Sequence, residues 1–148
     1  MGYKINCDAC KQASWARNIV DLIDNHLDES HMLKCTNCDA SGAYIYLASE
    51  TQSNEGTWER WMKGIIRIDY KDEEGNESTY HPYVFLHTHS EPQGKIDSVQ
   101  ISYYKDHRKT GGVLKHGHGP GGTPVLDLVD ITSIRQKLID IGIMSAQP

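Results

Sequence analysis

The 148-residue chain has no long hydrophobic run, and nowhere does it reach the roughly 18 consecutive apolar residues that read as a transmembrane helix. The opening stretch MGYKINCDAC lacks the apolar core of a secretory signal, and Asn6 stands where a myristoylation signal needs Ser or Thr. These absences lead us to expect an intracellular, cytoplasmic protein. Positive net charge is missing too: the balance is −5, which disfavours indiscriminate binding to nucleic-acid phosphates. No cysteine lies outside two close pairs, and in a reducing compartment paired cysteines serve as metal ligands or redox thiols more often than as structural disulfides.

What is present is the composition of an ordinary globular protein, 38% hydrophobic and 24% charged, in a chain of single-domain length. The charge is unevenly spread. Between Lys95 and His118 five basic residues (Lys95, Lys105, Arg108, Lys109, Lys115) face two acidic ones, a local balance of +3 against −8 elsewhere.

The four cysteines form two C-x-x-C pairs, Cys7 with Cys10 in NCDACK and Cys35 with Cys38 in KCTNCDAS. A C-x-x-C turn brings two sulfurs onto one ion, and two such turns supply the four tetrahedral ligands that Zn²⁺ prefers. The 24 residues between the pairs exceed the common spacing, because a helix is expected to fill the interval. The pattern resembles the two-knuckle arrangement of zinc ribbons and related zinc-finger-like domains, over the first third of the chain. Neither CDACK nor CTNCD carries the C-P-x-C-G signature of rubredoxins. The resemblance implies one structural Zn²⁺, held by Cys7, Cys10, Cys35 and Cys38 with no position open for substrate. A second reading compares CDAC followed by a helix with a thioredoxin-type redox turn, in which the helix N-terminus lowers the first thiol's pKa.

Along the chain, Trp15, Ile19, Leu22, Ile23, His26 and Leu27 recur at helical spacing and predict a helix over about 14–27, capped by Ser14 and with Trp15 on its buried face. From Gly42 onward the pattern shifts to β-rich runs, GAYIYLAS, KGIIRIDY, YVFLHTH and DSVQISYY, separated by turn-forming segments. Four successive strands without intervening helices predict an antiparallel meander. Residues 110–124 hold six of the thirteen glycines and read as an exposed loop. VLDLV is a candidate strand, and Asp130 a candidate cap for a last helix with Ile131, Ile134, Leu138 and Ile141 on one side.

His87 and His89 in HTHS would project from one side of a strand and are candidates for a second metal. The H-x-H-P motif of JAMM-type metallopeptidases is not reproduced, since Ser90 replaces the proline and the downstream Ser and Asp are out of place. His116 and His118, with Lys105, Arg108, Lys109 and Lys115, are candidate contacts for a partner or a phosphate. No Walker A spacing is present, and no catalytic triad or acid/base pair is specified.

These readings converge on a single α+β domain, 1–148. A zinc-knuckle lobe over 1–48 packs on an antiparallel sheet; residues 49–148 add that sheet, the glycine-rich loop and a C-terminal helix covering the sheet. The expected function is binding, by a zinc-stabilised interaction module with a protein partner ahead of nucleic acid and no membrane. The rival expectations are a metal-dependent enzyme using His87 and His89, and a C-x-x-C redox protein.

Overall fold

A computed structural model of the chain describes residues 2–50, 57–68, 73–117 and 125–147. These residues form an α+β fold with a curled antiparallel sheet and two α-helices. Tyr3–Asn6 (β1) and Ala13–Ala16 (β2) pair as an antiparallel hairpin whose connection is the first cysteine pair. A short helix, Ile19–Asn25 (α1), follows. The main sheet is built from Ile45–Glu50 (β3), Thr57–Arg67 (β4), Tyr80–Thr88 (β5) and Ser98–Asp106 (β6), paired in that order as the meander expected. Beyond β6, Leu114–His116 (β7) pairs with its last residues and Val125–Asp127 (β8) with its first.

The helix is shorter than its periodicity predicts, and its start is displaced. Ser14 is a strand residue facing Ile5, and the cap is Asn18, whose side chain accepts the Asp21 amide at 2.9 Å. Residues 13–16 alternate buried and exposed like a strand, and pairing with Tyr3–Asn6 satisfies their backbone more completely than a free first helical turn could. Trp15 falls on the outer face of this hairpin, 64% exposed, and is not the core residue expected.

One face of the main sheet is the core face. Tyr83 and Phe85 on β5, Ile65 on β4 and Tyr104 on β6 pack against Tyr3, Ile5, Ala16, Ile19 and Leu22 from the N-terminal lobe. At roughly 25 cal/mol per Å² of apolar surface, burying one such side chain contributes about 1.5–3 kcal/mol, so this layer contact is what unites the lobe with the sheet. β4 makes the join tighter. It carries a bulge between Met62 and Gly64, after which it exchanges β3 for the segment entering the second cysteine pair. There Leu33 donates to Lys63 and Ile65 donates to His31, at 2.8 and 3.0 Å. Gly64 is required at that crossing, since a Cβ would lie 2.6 Å from the His31 carbonyl oxygen.

Two C-terminal expectations are corrected. Part of the glycine-rich region is ordered structure: Arg108–Thr110 forms a 3-10 turn and Leu114–His116 a strand. Residues 118–124, which include His118, lie outside the described residues. The last helix, Leu128–Asp140 (α2), starts at Asp127 rather than Asp130; Asp130 sits three residues in and accepts the Asp127 amide at 3.1 Å. It does not cover the sheet, for none of its residues is buried. Among the described residues no helix is long and apolar enough to cross a membrane.

Candidate metal centre

Each cysteine pair is held by the same backbone device. In the first, Lys11 donates its amide to the Cys7 carbonyl at 3.0 Å, and in the second Asp39 donates to Cys35 at 2.8 Å. Lys11 and Asp39 both adopt left-handed backbone conformations, with φ of 60° and 59°. Such conformations are costly for residues with a Cβ, so the surrounding contacts must hold them. Both turns close antiparallel ladders, β1–β2 in one case and the Lys34–Ser41 bridge in the other.

The two turns face each other and bring the four sulfurs together. Cys7 Sγ lies 3.7 Å from Cys38 Sγ, Cys10 Sγ lies 3.6 Å from Cys35 Sγ, and all four fall within 4.8 Å of one another. Four ligands about 2.3 Å from a central ion stand about 3.8 Å apart at the corners of a tetrahedron, whereas a disulfide needs about 2.0 Å. The cysteines are free thiols, and their spacing fits a four-sulfur metal site. Cys7 and Cys35 are buried, Cys10 is half-buried and Cys38 is exposed.

The electrostatics of the cluster suit a cation. The Cys10 amide, with that of Ala9, points at the Cys7 sulfur and lowers its pKa to about 7. The Gln12 amide acts likewise on Cys10, but desolvation and the nearby Cys35 sulfur leave that thiol raised. At Cys38 the Ala40 amide is outweighed by desolvation and by the other three sulfurs, and the thiol is pushed up to about 12. One thiolate therefore forms readily and opposes the next. A bound divalent ion reverses that opposition, because it interacts favourably with every sulfur and binds only their deprotonated forms. Four sulfurs complete a tetrahedral shell, leaving no place at which a substrate could coordinate.

A polar strap, not apparent in the sequence, ties the first cysteine pair to the β5–β6 connection. Asp8 accepts the Tyr44 hydroxyl at 3.1 Å and Gln93 Nε2 at 3.2 Å, and the same Gln93 nitrogen reaches the Gly42 carbonyl at 2.9 Å. Lys63, only 4% exposed, donates to Gly42 O and Gln93 Oε1 at 3.3 Å each, and to Pro92 O. Desolvation lowers the pKa of its ammonium, while Asp8 opposes the change. The Asp between two cysteines was the only available sequence signal; Lys63 and Gln93 carried none.

The two histidine candidates stand in different surroundings. His87 is fully buried, with Nε2 3.2 Å from Gln100 Oε1, and desolvation lowers its pKa to about 4. His89 lies beyond the end of β5, exposed, with Nδ1 2.8 Å from Asp97 Oδ1 and 3.2 Å from Ser98 Oγ. Among the described residues no third metal-ligating group converges with these two as the cysteines converge. Nor is Ser98–His89–Asp97 a nucleophilic triad: the Asp and the Ser address the same ring nitrogen, whereas a relay needs one on each.

Of the basic candidates, two form a cross-strand pair and the others are held elsewhere. Arg108 is engaged by Asp106 through Nε and Nη2, both at 2.9 Å, and this pairing holds the Asp106 pKa near about 2. Lys105 and Lys115 stand directly opposite each other on β6 and β7, both exposed. Lys109 is exposed in the 3-10 turn, and His116 is half-buried in β7, with a pKa lowered by desolvation. Lys95 is exposed on the β5–β6 connection, beyond the opposite end of β6 from Lys105.

No protein-family model, curated protein or solved structure matches this chain. The functional reading therefore rests on the site's own geometry.

Proposed function

We propose that the chain is an interaction module whose N-terminal lobe is fixed by one structural Zn²⁺ on Cys7, Cys10, Cys35 and Cys38. The observation that carries this reading is the closed set of four sulfurs at tetrahedral spacing. Thiolate donors in a tetrahedral arrangement favour zinc or iron over the hard oxygen-seeking cations, and zinc adds no redox chemistry of its own. The ion supplies positive charge and a cross-link. Joining two turns separated by 24 residues removes loop freedom from the unfolded chain, and the hairpin and second knuckle are then held against the core face of the sheet.

The redox alternative is disfavoured by local structure. CDAC is followed by β2, not by a helix N-terminus, and the short sulfur contacts of Cys7 and Cys10 run across to the other pair. An enzyme at His87 and His89 has less support than a binding role, given the burial of one and the exposure of the other. The binding partner in this reading is a protein, consistent with the net negative charge.

Metal stoichiometry after substitution tests the proposal. Cys35→Ser and Cys10→Ser each abolish tight zinc binding, while His87→Ala and His89→Ala leave the zinc content unchanged. Loss of a metal in either histidine variant, with the cysteines intact, would return the enzyme reading to first place.

A further inference from the structure

Among the described residues, two apolar surfaces have no partner. The first is the outer face of the main sheet, where Ile66, Val84 and Ile101 stand side by side on β4, β5 and β6. Ile66 is 40% and Ile101 50% exposed, although both sit in the middle of a sheet whose other face is fully packed. The second is α2. Ile134 and Ile141 on its apolar side are 47% and 68% exposed, and the turn after it adds Ile143 at 73%. Contiguous apolar exposure of this kind marks an interaction surface more often than it marks ordinary solvent-facing surface.

Charge says what covers the sheet. Lys105 and Lys115 are direct cross-strand neighbours on this outer face, with Tyr80 opposite Lys105 on its other side. Like charges placed opposite each other are destabilising, so this end of the sheet is built to receive carboxylates from outside. The helix brings carboxylates to its N-terminal end, Asp127 at the cap and Asp130 in the first turn, whereas its last turn carries Lys137. Thirteen residues of helix extend about 20 Å, which fits within the roughly 30 Å run of a nine-residue strand such as β5.

We infer that the chain self-associates as a two-fold dimer, in which α2 of each copy lies on the outer sheet face of the other with its acidic end at Lys105 and Lys115. Within one copy the helix leaves the sheet at the β5–β6 connection, where Leu128 donates to the Asp97 carbonyl at 3.1 Å, and none of its residues is buried. A reciprocal exchange covers both bare surfaces in one closed arrangement, as two-fold symmetry requires. The inference deepens the interaction-module reading by naming a partner, and it uses no residue of the metal centre.

Sedimentation velocity on the metal-loaded full chain, from about 1 to about 100 µM, tests it directly, because an exchange of this kind responds to concentration by mass action. A dimer is expected, weakened about tenfold or more by Ile101→Lys on the sheet and equally by Ile134→Lys on the helix. Both positions are exposed in the single copy, so each variant should retain its metal and its circular dichroism. Mixing the two variants should recover part of the association, because the intact helix of one then meets the intact sheet of the other. Lys105→Glu combined with Lys115→Glu should weaken the dimer as well, and added salt should act in the same direction. A monomer at every concentration overturns the inference, as does a dimer indifferent to Ile101→Lys. A monomer that instead binds a single-stranded oligonucleotide through Lys105 and Lys115 overturns it too, assigning the lysine pair to phosphate. Zinc content, measured on the same samples, reports separately on the metal reading.

Discussion

Lys11 and Asp39 occupy equivalent places in two separate turns, each one residue past the second cysteine of its pair and each in the left-handed region, at φ of 60° and 59°. Neither is a glycine, the residue for which that conformation is cheap. Substitution should show how firmly the turn is held. Lys11→Val and Asp39→Val are each expected to lower stability by about 1–2 kcal/mol, because β-branched side chains suffer most in this region. Lys11→Gly and Asp39→Gly should be close to neutral, with relief of strain offset by the roughly 0.5–1 kcal/mol of extra unfolded-state freedom. Urea unfolding of the metal-loaded protein is the check, and equal losses for Val and Gly would mean that the backbone is not what limits the turn.

The strap between Asp8 and Gln93 predicts a graded response. Gln93→Ala removes an exposed link and should cost about 1 kcal/mol. Lys63→Ala withdraws a buried donor from the carbonyls of Gly42 and Pro92 and should cost about 2–3 kcal/mol. Denaturant midpoints at constant slope measure both. A Lys63→Ala protein as stable as the parent would show that water replaces the ammonium and that the strap contributes little.

His87 gives the fold an acid sensitivity separate from the thiols. Its folded pKa of about 4 lies below the ordinary 6.5, so the unfolded chain binds the extra proton first. Stability from keeping this ring neutral is fully present above pH 6.5 and is lost as pH falls through the window to about 4. The loss amounts to about 3 kcal/mol. His26, also lowered by desolvation, adds to it in the same direction. Thiolate protonation destabilises the metal site on acidification as well, so the diagnostic is the difference between the parent and His87→Gln. The difference should shrink as the pH is lowered, and one that stays constant from pH 7 to about 4 would exclude the buried neutral ring.

Trp15 separates the helix that the periodicity suggests from the one that forms. Being 64% exposed on β2, it should tolerate Trp15→Ala at a cost within about 0.5 kcal/mol. Leu22→Ala, in the core on α1, should cost about 2–5 kcal/mol. Thermal or urea unfolding distinguishes them, and a large loss at Trp15 would restore it to the core.

The same residues show how far the fold was legible. Alternation marked the four meander strands, because each buries one face, and the doubled cysteine spacing marked the site. The helix start was misread because Trp15 and Ile19 happen to be four residues apart, a coincidence that a period-based reading cannot separate from a strand followed by a helix. The alternation in YKIN and ASWA, on either side of the first cysteine pair, carried the hairpin signal in only four residues each. The strap could not be read at all. Lys63 lies within a strand and Gln93 in a connection 30 residues away, and only the folded backbone brings them to one carbonyl. The unpacked α2 is the converse case: its amphipathic pattern is plain in the sequence, yet none of its residues is buried in the single copy.

The account turns on whether four thiolates hold one metal ion. Elemental analysis of the purified protein, combined with thiol titration before and after chelation, addresses that claim most directly. The account predicts close to one zinc per chain and thiols that react only once the metal is withdrawn. Metal-free protein whose thiols react at once, or oxidise pairwise within Cys7–Cys10 and Cys35–Cys38, would contradict it.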